Sequence, residues 1–154
     1  MTGLRSLAAM LWFAAWFFVA FPWLVLRATG TDPMAAWRAA GLAEFALLGA
    51  VGAAVTWLVV FFVREGGGTP APFDPPRRVV SGGPYRFTRN PMYLSYLAVV
   101  VAEAWLFRSA ALLLYAAALS TVAHVYVVAV EEPGLRGRFG DAYLTYCKGV
   151  RRWL

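Results

Sequence analysis

A polar, basic stretch at residues 82–93 holds residue types that suit the binding of an anion. It reads Gly-Gly-Pro-Tyr-Arg-Phe-Thr-Arg-Asn-Pro-Met-Tyr and runs directly into an apolar segment. Asn90 is a residue type that caps helices, and Pro91 suits the first helical position. A helix that begins there directs its unpaired N–H groups toward a loop that carries Arg86 and Arg89, and such a helix start attracts anions. The stretch therefore predicts an anion-binding site.

A pair of carboxylates, Glu131 and Glu132, closes the next apolar segment and precedes a Pro-Gly pair. Only Arg108 and Ser109 separate this segment from the helix that begins at Pro91, so the two segments should form a helical hairpin. The start of one hairpin helix and the end of the other then lie at the same membrane surface. The hairpin therefore predicts a site with amides and arginines on one wall and carboxylates on the other.

His124 and Glu103 are the ionisable residues within the hairpin helices. His124 lies seven residues before Glu131, so it shares that helix face about 10 Å deeper. An intramembrane ionisable group is a functional candidate, and His124 could accept a proton from a substrate. The alternative is a packing histidine bonded to a backbone carbonyl or a tyrosine. For Glu103 we expect a structural pair with the nearby Arg108.

Four long apolar segments determine the fold class. The chain is 61% hydrophobic and only 14% charged, and spanning a bilayer takes about 20 apolar residues. The sequence predicts an all-α integral membrane protein with four transmembrane helices and a C-terminal interfacial helix. The predicted spans are 4–26, 37–63, 91–107 and 109–130, and the amphipathic interfacial segment is 135–150.

The basic residues predict the topology. Four helices place the N-terminus, the 64–90 loop and the C-terminal tail on one side, which then holds eleven of the fourteen Lys and Arg residues. This asymmetry predicts that both termini are cytoplasmic. We expect an integral protein of a bacterial inner membrane. Topology and anionic lipid explain the net charge of +6, so it does not indicate a nucleic-acid partner. One cysteine and one histidine argue against a disulfide or a metal centre.

The domain organisation follows from these segments. We predict a single membrane domain over 1–154, with two N-terminal helices in 1–63, a cytoplasmic loop in 64–90, the helical hairpin in 91–130 and a cytoplasmic amphipathic tail in 131–154. Residues 64–76, rich in glycine and proline, are either a flexible linker or an ordered lid. Residues 77–90 are expected to be ordered because they deliver the helix start at Asn90.

The two polar segments, taken together, resemble a known family signature. Gly-Pro-Tyr-Arg leading to Asn-Pro-Met-Tyr, then Glu-Glu-Pro followed by Phe-Gly-Asp-Ala-Tyr-Leu-Thr-Tyr, resembles membrane S-adenosylmethionine-dependent methyltransferases. That group includes isoprenylcysteine carboxyl methyltransferases and phospholipid N-methyltransferases. The resemblance covers about residues 79–152. Val127 stands where the isoprenylcysteine enzymes carry an arginine that helps hold their substrate.

The resemblance implies S-adenosylmethionine as cofactor and roles for the polar residues. The helix-start amides with Arg86 or Arg89 would hold its carboxylate, and Glu131 or Glu132 its ammonium or ribose hydroxyls. The implied cofactor-binding residues are Tyr85, Arg86, Arg89, Asn90, Pro91, Met92, Tyr93, Glu131 and Glu132, and the implied catalytic residues are His124, Glu132 and Arg89.

The expected reaction is methyl transfer from S-adenosylmethionine to a lipophilic acceptor such as a lipid amine or an isoprenoid carboxylate. The acceptor would reach the site from the membrane, between Tyr96, Leu97 and Val100 on one hairpin helix and His124 and Val128 on the other. Two alternatives remain: an NADPH-dependent enzyme similar to sterol reductases, and a non-catalytic membrane subunit that binds lipid. The oligomeric state stays open.

Overall fold

The computed structural model describes residue 8, residues 11–70 and residues 74–154, and these residues are mostly helical. Among them are six helices: α1 (Leu11–Ala28), α2 (Pro33–Ala39), α3 (Leu42–Gly66), α4 (Pro91–Leu106), α5 (Ala110–Phe139) and α6 (Asp141–Gly149). A short 3-10 turn, Gly83–Arg86, precedes α4. The described residues form no strand beyond an isolated bridge between Thr88 and Arg151. The all-α class predicted from the sequence is confirmed.

Three of these helices, α1, α3 and α5, are long and apolar enough to cross a membrane. The prediction of four spanning helices is therefore confirmed only in part. α4 has 16 residues, which corresponds to a length of about 24 Å. The hydrocarbon core is about 30 Å thick, so α4 is short for a span.

Helix α1 continues past its proline. Its predicted range was 4–26; the described part runs from Leu11 to Ala28, and residues 4–7, 9 and 10 lie outside the described residues. Trp16–Ala20 form a π-helical turn just before Pro22. Proline lacks an N–H and its ring collides with the carbonyl four residues earlier, and a wider turn relieves both constraints. Pro22 is thus accommodated within α1.

The second predicted helix, over 37–63, is in fact two helices. The Asp32 carboxylate accepts the Met34 N–H at 3.0 Å and starts α2. The chain is extended at Gly41, and α3 begins only after it. The Gly41 N–H donates to the Glu44 carboxylate at 3.0 Å. This bond fixes the new helix start, which the apolar pattern alone did not reveal.

Helix α5 is longer than predicted. The expected helix end at the carboxylate pair is wrong, because α5 continues to Phe139. Val127–Glu131 form a π-helical turn that precedes Pro133 and accommodates it, as in α1. The break comes instead at Gly140, whose φ of 51° is readily adopted only by glycine. The predicted interfacial helix over 135–150 is therefore split between the end of α5 and α6.

The hairpin and the helix packing bring α4 to the centre of the fold. α4 packs against α3 on one side and α5 on the other, and α1 packs against α5. The α4–α5 turn is closed by the Ser109 N–H, which donates to the Ala104 carbonyl at 3.0 Å. Leu26, Ala104 and Leu112 form a buried cluster near this turn. The predicted hairpin is present, and its other end carries the polar segments.

The expected pair between Glu103 and Arg108 does not form among the described residues. Glu103 is buried between Ala102 and Ala104, and its Oε2 has no hydrogen-bond partner. Arg108 is exposed in the turn with a φ of 48°. The two side chains therefore occupy different environments, which spacing along the sequence did not indicate.

The loop after α3 folds back on the end of that helix. The Arg77 N–H donates to the Gly66 carbonyl at 2.8 Å, and the Arg78 guanidinium donates to the Glu65 carbonyl. The Thr69 N–H donates to the Asp74 carbonyl at 2.7 Å. These bonds favour the ordered lid over the flexible linker for the described part of the loop; residues 71–73 lie outside it.

We predict that Gly83→Ala destabilises the loop. Gly83 has a φ of 52°, and a Cβ there would lie 2.7 Å from the Phe61 ring. The strained backbone should lower the free energy of unfolding by roughly 1–3 kcal/mol, measured by denaturation in detergent micelles. Gly49→Ala is the control, because a Cβ at this helical position meets nothing within 4 Å. Equal stability of the two variants would contradict the close approach of Gly83 to Phe61.

Candidate active site

Glu132 is the centre of a buried ionic cluster. Its side chain is 3% exposed and lies 2.9 Å from Arg89 Nη1. Arg152 donates to both carboxylate oxygens, from Nε at 2.8 Å and from Nη2 at 3.0 Å. Arg136 approaches to 3.5 Å from one turn further along α5. The bonds to Glu132 raise the pKa of Arg152, so this guanidinium stays charged. A carboxylate so buried requires such partners.

The cluster joins three separate parts of the chain. Glu132 belongs to α5, Arg89 to the loop before α4, and Arg152 to the C-terminal segment. Arg89 Nη1 also donates to Cys147 Sγ on α6 at 2.9 Å, whereas Arg89 Nε is buried without a partner. Cys147 and Arg152 were not identified as site residues from the sequence. One signal was available for Arg152: it is a basic residue close to a predicted membrane surface.

The C-terminal segment runs beside the loop that starts α4. The Arg151 carbonyl accepts the Arg89 N–H at 2.8 Å, and the Arg152 carbonyl accepts the Thr88 hydroxyl at 3.1 Å. The Asn90 side-chain amide also donates to the Arg152 carbonyl, at 2.9 Å. The predicted cap by the Asn90 side chain is therefore wrong, and no side chain caps α4. Pro91 does take the predicted first helical position.

Glu131, the other carboxylate of the pair, has a different environment from Glu132. The Tyr93 hydroxyl donates to Glu131 Oε2 at 2.6 Å, and no described residue hydrogen-bonds to Oε1. In a regular α-helix, adjacent residues point about 100° apart. A π-helical turn ends at Glu131, and both carboxylates line the same cavity. Glu131 is thus the carboxylate with free hydrogen-bonding capacity.

Tyr85 and Met92, two further predicted site residues, are buried in a core cluster with Leu58 and Val80. The Tyr146 hydroxyl donates to the Tyr85 carbonyl at 2.7 Å and links α6 to the loop. Burial raises the pKa of the Tyr85 phenol, which therefore stays protonated. Both residues border the cavity, but their main contacts are with the core.

His124 is bonded neither to a backbone carbonyl nor to a tyrosine. Its Nδ1 accepts the indole N–H of Trp153 at 3.0 Å. The Trp153 ring also packs edge-on against Tyr93, with centroids 6.4 Å apart. Trp153 thus connects the histidine to the tyrosine that binds Glu131.

A large cavity unites most of these groups. Its volume is about 1990 Å³, and its walls come from α1, α3, α4, α5, the lid and the C-terminal segment. Of the predicted site residues it is lined by Tyr85, Arg89, Asn90, Met92, Tyr93, His124, Glu131 and Glu132. Arg86 is exposed and lines a separate cavity of about 470 Å³. Pro91 appears in the lining of neither.

The predicted acceptor passage is formed in part. Tyr96 and Leu97 on α4 line the cavity together with His124. Val100 and Val128 do not line it, and Val100 is completely buried. Aromatic residues of α1 complete this apolar part instead; Phe18 packs against Tyr96 with ring centroids 5.4 Å apart.

We predict that Arg152→Gln lowers the free energy of unfolding by about 1–3 kcal/mol, because it removes two charge-assisted bonds from a buried carboxylate. Arg151→Gln is the matched control, since this neighbour has an exposed side chain and contributes backbone bonds. Denaturation in detergent micelles measures both. In a double-mutant cycle, Arg152→Gln and Glu132→Gln should couple by about 0.5–3 kcal/mol. Strict additivity of the two changes in the free energy of unfolding would show that the ion pair does not contribute to stability.

One comparison with known proteins supports the family resemblance that the two polar segments carry. No curated protein and no solved structure gives a significant match to the chain. The family model described as phospholipid methyltransferase matches residues 39–142. This range contains α3, the lid, the loop before α4, the hairpin and both carboxylates, and it is more than half of the chain. The chain therefore belongs to the phospholipid methyltransferase family.

Proposed function

We propose that this protein transfers a methyl group from S-adenosylmethionine to a lipophilic acceptor within the membrane. The observation that carries the proposal is the cavity, in which a charged end with Arg89, Glu131 and Glu132 is continuous with an apolar passage. A volume of about 1990 Å³ exceeds the roughly 300–1,000 Å³ of a site for one small ligand. The space suits a polar cofactor and a lipid chain together.

The residues at the charged end fit the groups of S-adenosylmethionine. The first turn of α4 has no side-chain cap, so its amides suit the cofactor's carboxylate. Arg89 lines the cavity and supplies a positive charge nearby. Glu131, with Oε1 unbonded among the described residues, suits the ammonium or the ribose hydroxyls. The ring of Tyr93 suits the sulfonium through a cation–π contact.

Glu132 and Arg89 have a positioning role in this proposal. When bound, S-adenosylmethionine supplies an electrophilic methyl group, which an acceptor attacks in line with the breaking carbon–sulfur bond. The ion pair at 2.9 Å fixes the loop before α4 against α5. It thereby sets the distance between the uncapped helix start and Glu131, and rate enhancement by positioning depends on such fixed distances.

The apolar passage suits an acceptor that arrives from the bilayer. Its walls include Phe17 and Phe18 on α1, Val59 on α3 and Leu97 on α4. These side chains provide no charge to hold a polar headgroup deep in the passage. The family, a methyltransferase family, favours this reaction over the reductase and the non-catalytic subunit. A lipid amine and an isoprenoid carboxylate both remain suitable acceptors.

We also propose that α4 crosses the membrane with α1, α3 and α5, with both termini and the lid cytoplasmic. α4 is paired with the long α5 in a hairpin. The loop before α4 is fixed to Glu132 of α5 by the Arg89–Glu132 ion pair. Eleven of fourteen basic residues then lie on the cytoplasmic side, as the positive-inside rule requires.

We predict that Glu131→Gln weakens S-adenosylmethionine binding by roughly ten- to a hundred-fold, because a charge-assisted hydrogen bond is worth about 1.5–3 kcal/mol. Isothermal calorimetry on the detergent-solubilised protein measures the affinity. Glu65→Gln is the control, since this side chain is exposed at the end of α3. The wild type should show no comparable binding of NADPH. Tight NADPH binding without S-adenosylmethionine binding would overturn the proposal in favour of a reductase.

The topology gives a separate prediction, tested by cysteine labelling after Cys147→Ser removes the native thiol. Ser81→Cys, exposed in the loop before α4, should react with an impermeant reagent only after the cells are opened. Met34→Cys, exposed on α2, should react in intact cells. The reverse labelling pattern would contradict the proposed orientation and support the opposite one.

A further inference from the structure

The bond between Trp153 and His124 restricts how His124 can act. The indole nitrogen of tryptophan only donates hydrogen bonds. Because it donates to His124 Nδ1 at 3.0 Å, Nδ1 must carry a lone pair. In an imidazolium both ring nitrogens carry protons, so the charged form cannot accept this bond. The bonded ring is therefore neutral, with its proton on Nε2.

This tautomer does not suit the role of proton acceptor. Nδ1 already accepts the indole N–H, and Nε2 has a proton rather than a lone pair. His124 lines the cavity, and no described residue hydrogen-bonds to its Nε2. The group that His124 offers to a molecule in the cavity is consequently an N–H donor.

The backbone next to Trp153 is held in place by several bonds of its neighbour, and the Trp153 ring has a packing contact of its own. Its neighbour Arg152 makes two bonds to Glu132, at 2.8 and 3.0 Å. The Arg152 carbonyl accepts two further hydrogen bonds from the loop before α4, at 2.9 and 3.1 Å. The Trp153 ring packs edge-on against Tyr93. The indole can thus orient the histidine ring instead of following it.

We propose that Trp153 is a positioning residue that holds His124 as a neutral Nε2–H donor, which binds an oxygen atom of the methyl acceptor. This deepens the proposed function and rests on it. The acceptor would be a lipid with a phosphate, ester or carboxylate oxygen close to the atom that receives the methyl group. A hydrocarbon-like acceptor without oxygen would gain nothing from this donor.

The tautomer can be measured without methyl transfer, because His124 is the chain's only histidine. Nitrogen-15 NMR of the labelled ring at neutral pH should show an unprotonated Nδ1 and a protonated Nε2. Trp153→Phe keeps an aromatic ring but removes the donor, so the share of the Nδ1–H tautomer should rise; an unchanged tautomer ratio would show that Trp153 does not position the ring. Trp105→Phe is the control, because this tryptophan is exposed on α4 and does not line the cavity. An Nδ1–H or doubly protonated ring in the wild type would overturn the assignment.

Turnover of the acceptor tests the donor role. In His124→Gln the side-chain amide can place an N–H near the position of Nε2, whereas His124→Leu has no donor. We expect Gln to retain activity and Leu to lose roughly ten- to a hundred-fold, the equivalent of one hydrogen bond to a charged oxygen. Cofactor affinity should change in neither variant. Equal losses in both would overturn the donor role. If no lipid is methylated although the tautomer is as expected, the proposed function fails and the positioning by Trp153 stands.

Discussion

The ionic contact between Glu132 and the arginines around it is the constraint on which the site depends. A carboxylate with 3% exposure costs several kcal/mol to bury unless it is paired and hydrogen-bonded. Its partners come from the loop before α4 and from the C-terminal segment, so burial of Glu132 requires both segments to dock on α5. The uncapped start of α4, Glu131 and Trp153 are placed around the cavity as a consequence.

Within this arrangement the two adjacent carboxylates have separate roles. Glu132 is satisfied by arginines and stabilises the fold, whereas Glu131 keeps an oxygen available beside the Tyr93 hydroxyl. The π-helical turn Val127–Glu131 ends at the first of the two carboxylates and accommodates the proline that follows. A regular helix would have ended or kinked near this proline.

The sequence predicted the features that rest on composition and local spacing. The apolar segments and the hairpin turn at Arg108 follow from such local rules. The continuation of α5 beyond the carboxylates did not, because proline and glycine usually end helices and a π-helical turn leaves no simple sequence pattern. The roles of Asn90, Arg152 and Trp153 depend on contacts twenty or more residues away along the chain. Such contacts have no local signature.

The central claim is that the cavity holds S-adenosylmethionine at its charged end and a membrane lipid in its apolar passage. The most direct measurement incubates the purified protein with membrane lipid extract and methyl-labelled S-adenosylmethionine, then separates the lipids and follows the label. We predict a labelled lipid whose formation requires the protein and falls with Glu131→Gln more than with Glu65→Gln. Absence of label from every lipid fraction, with a protein that is folded and binds the cofactor, would contradict the account.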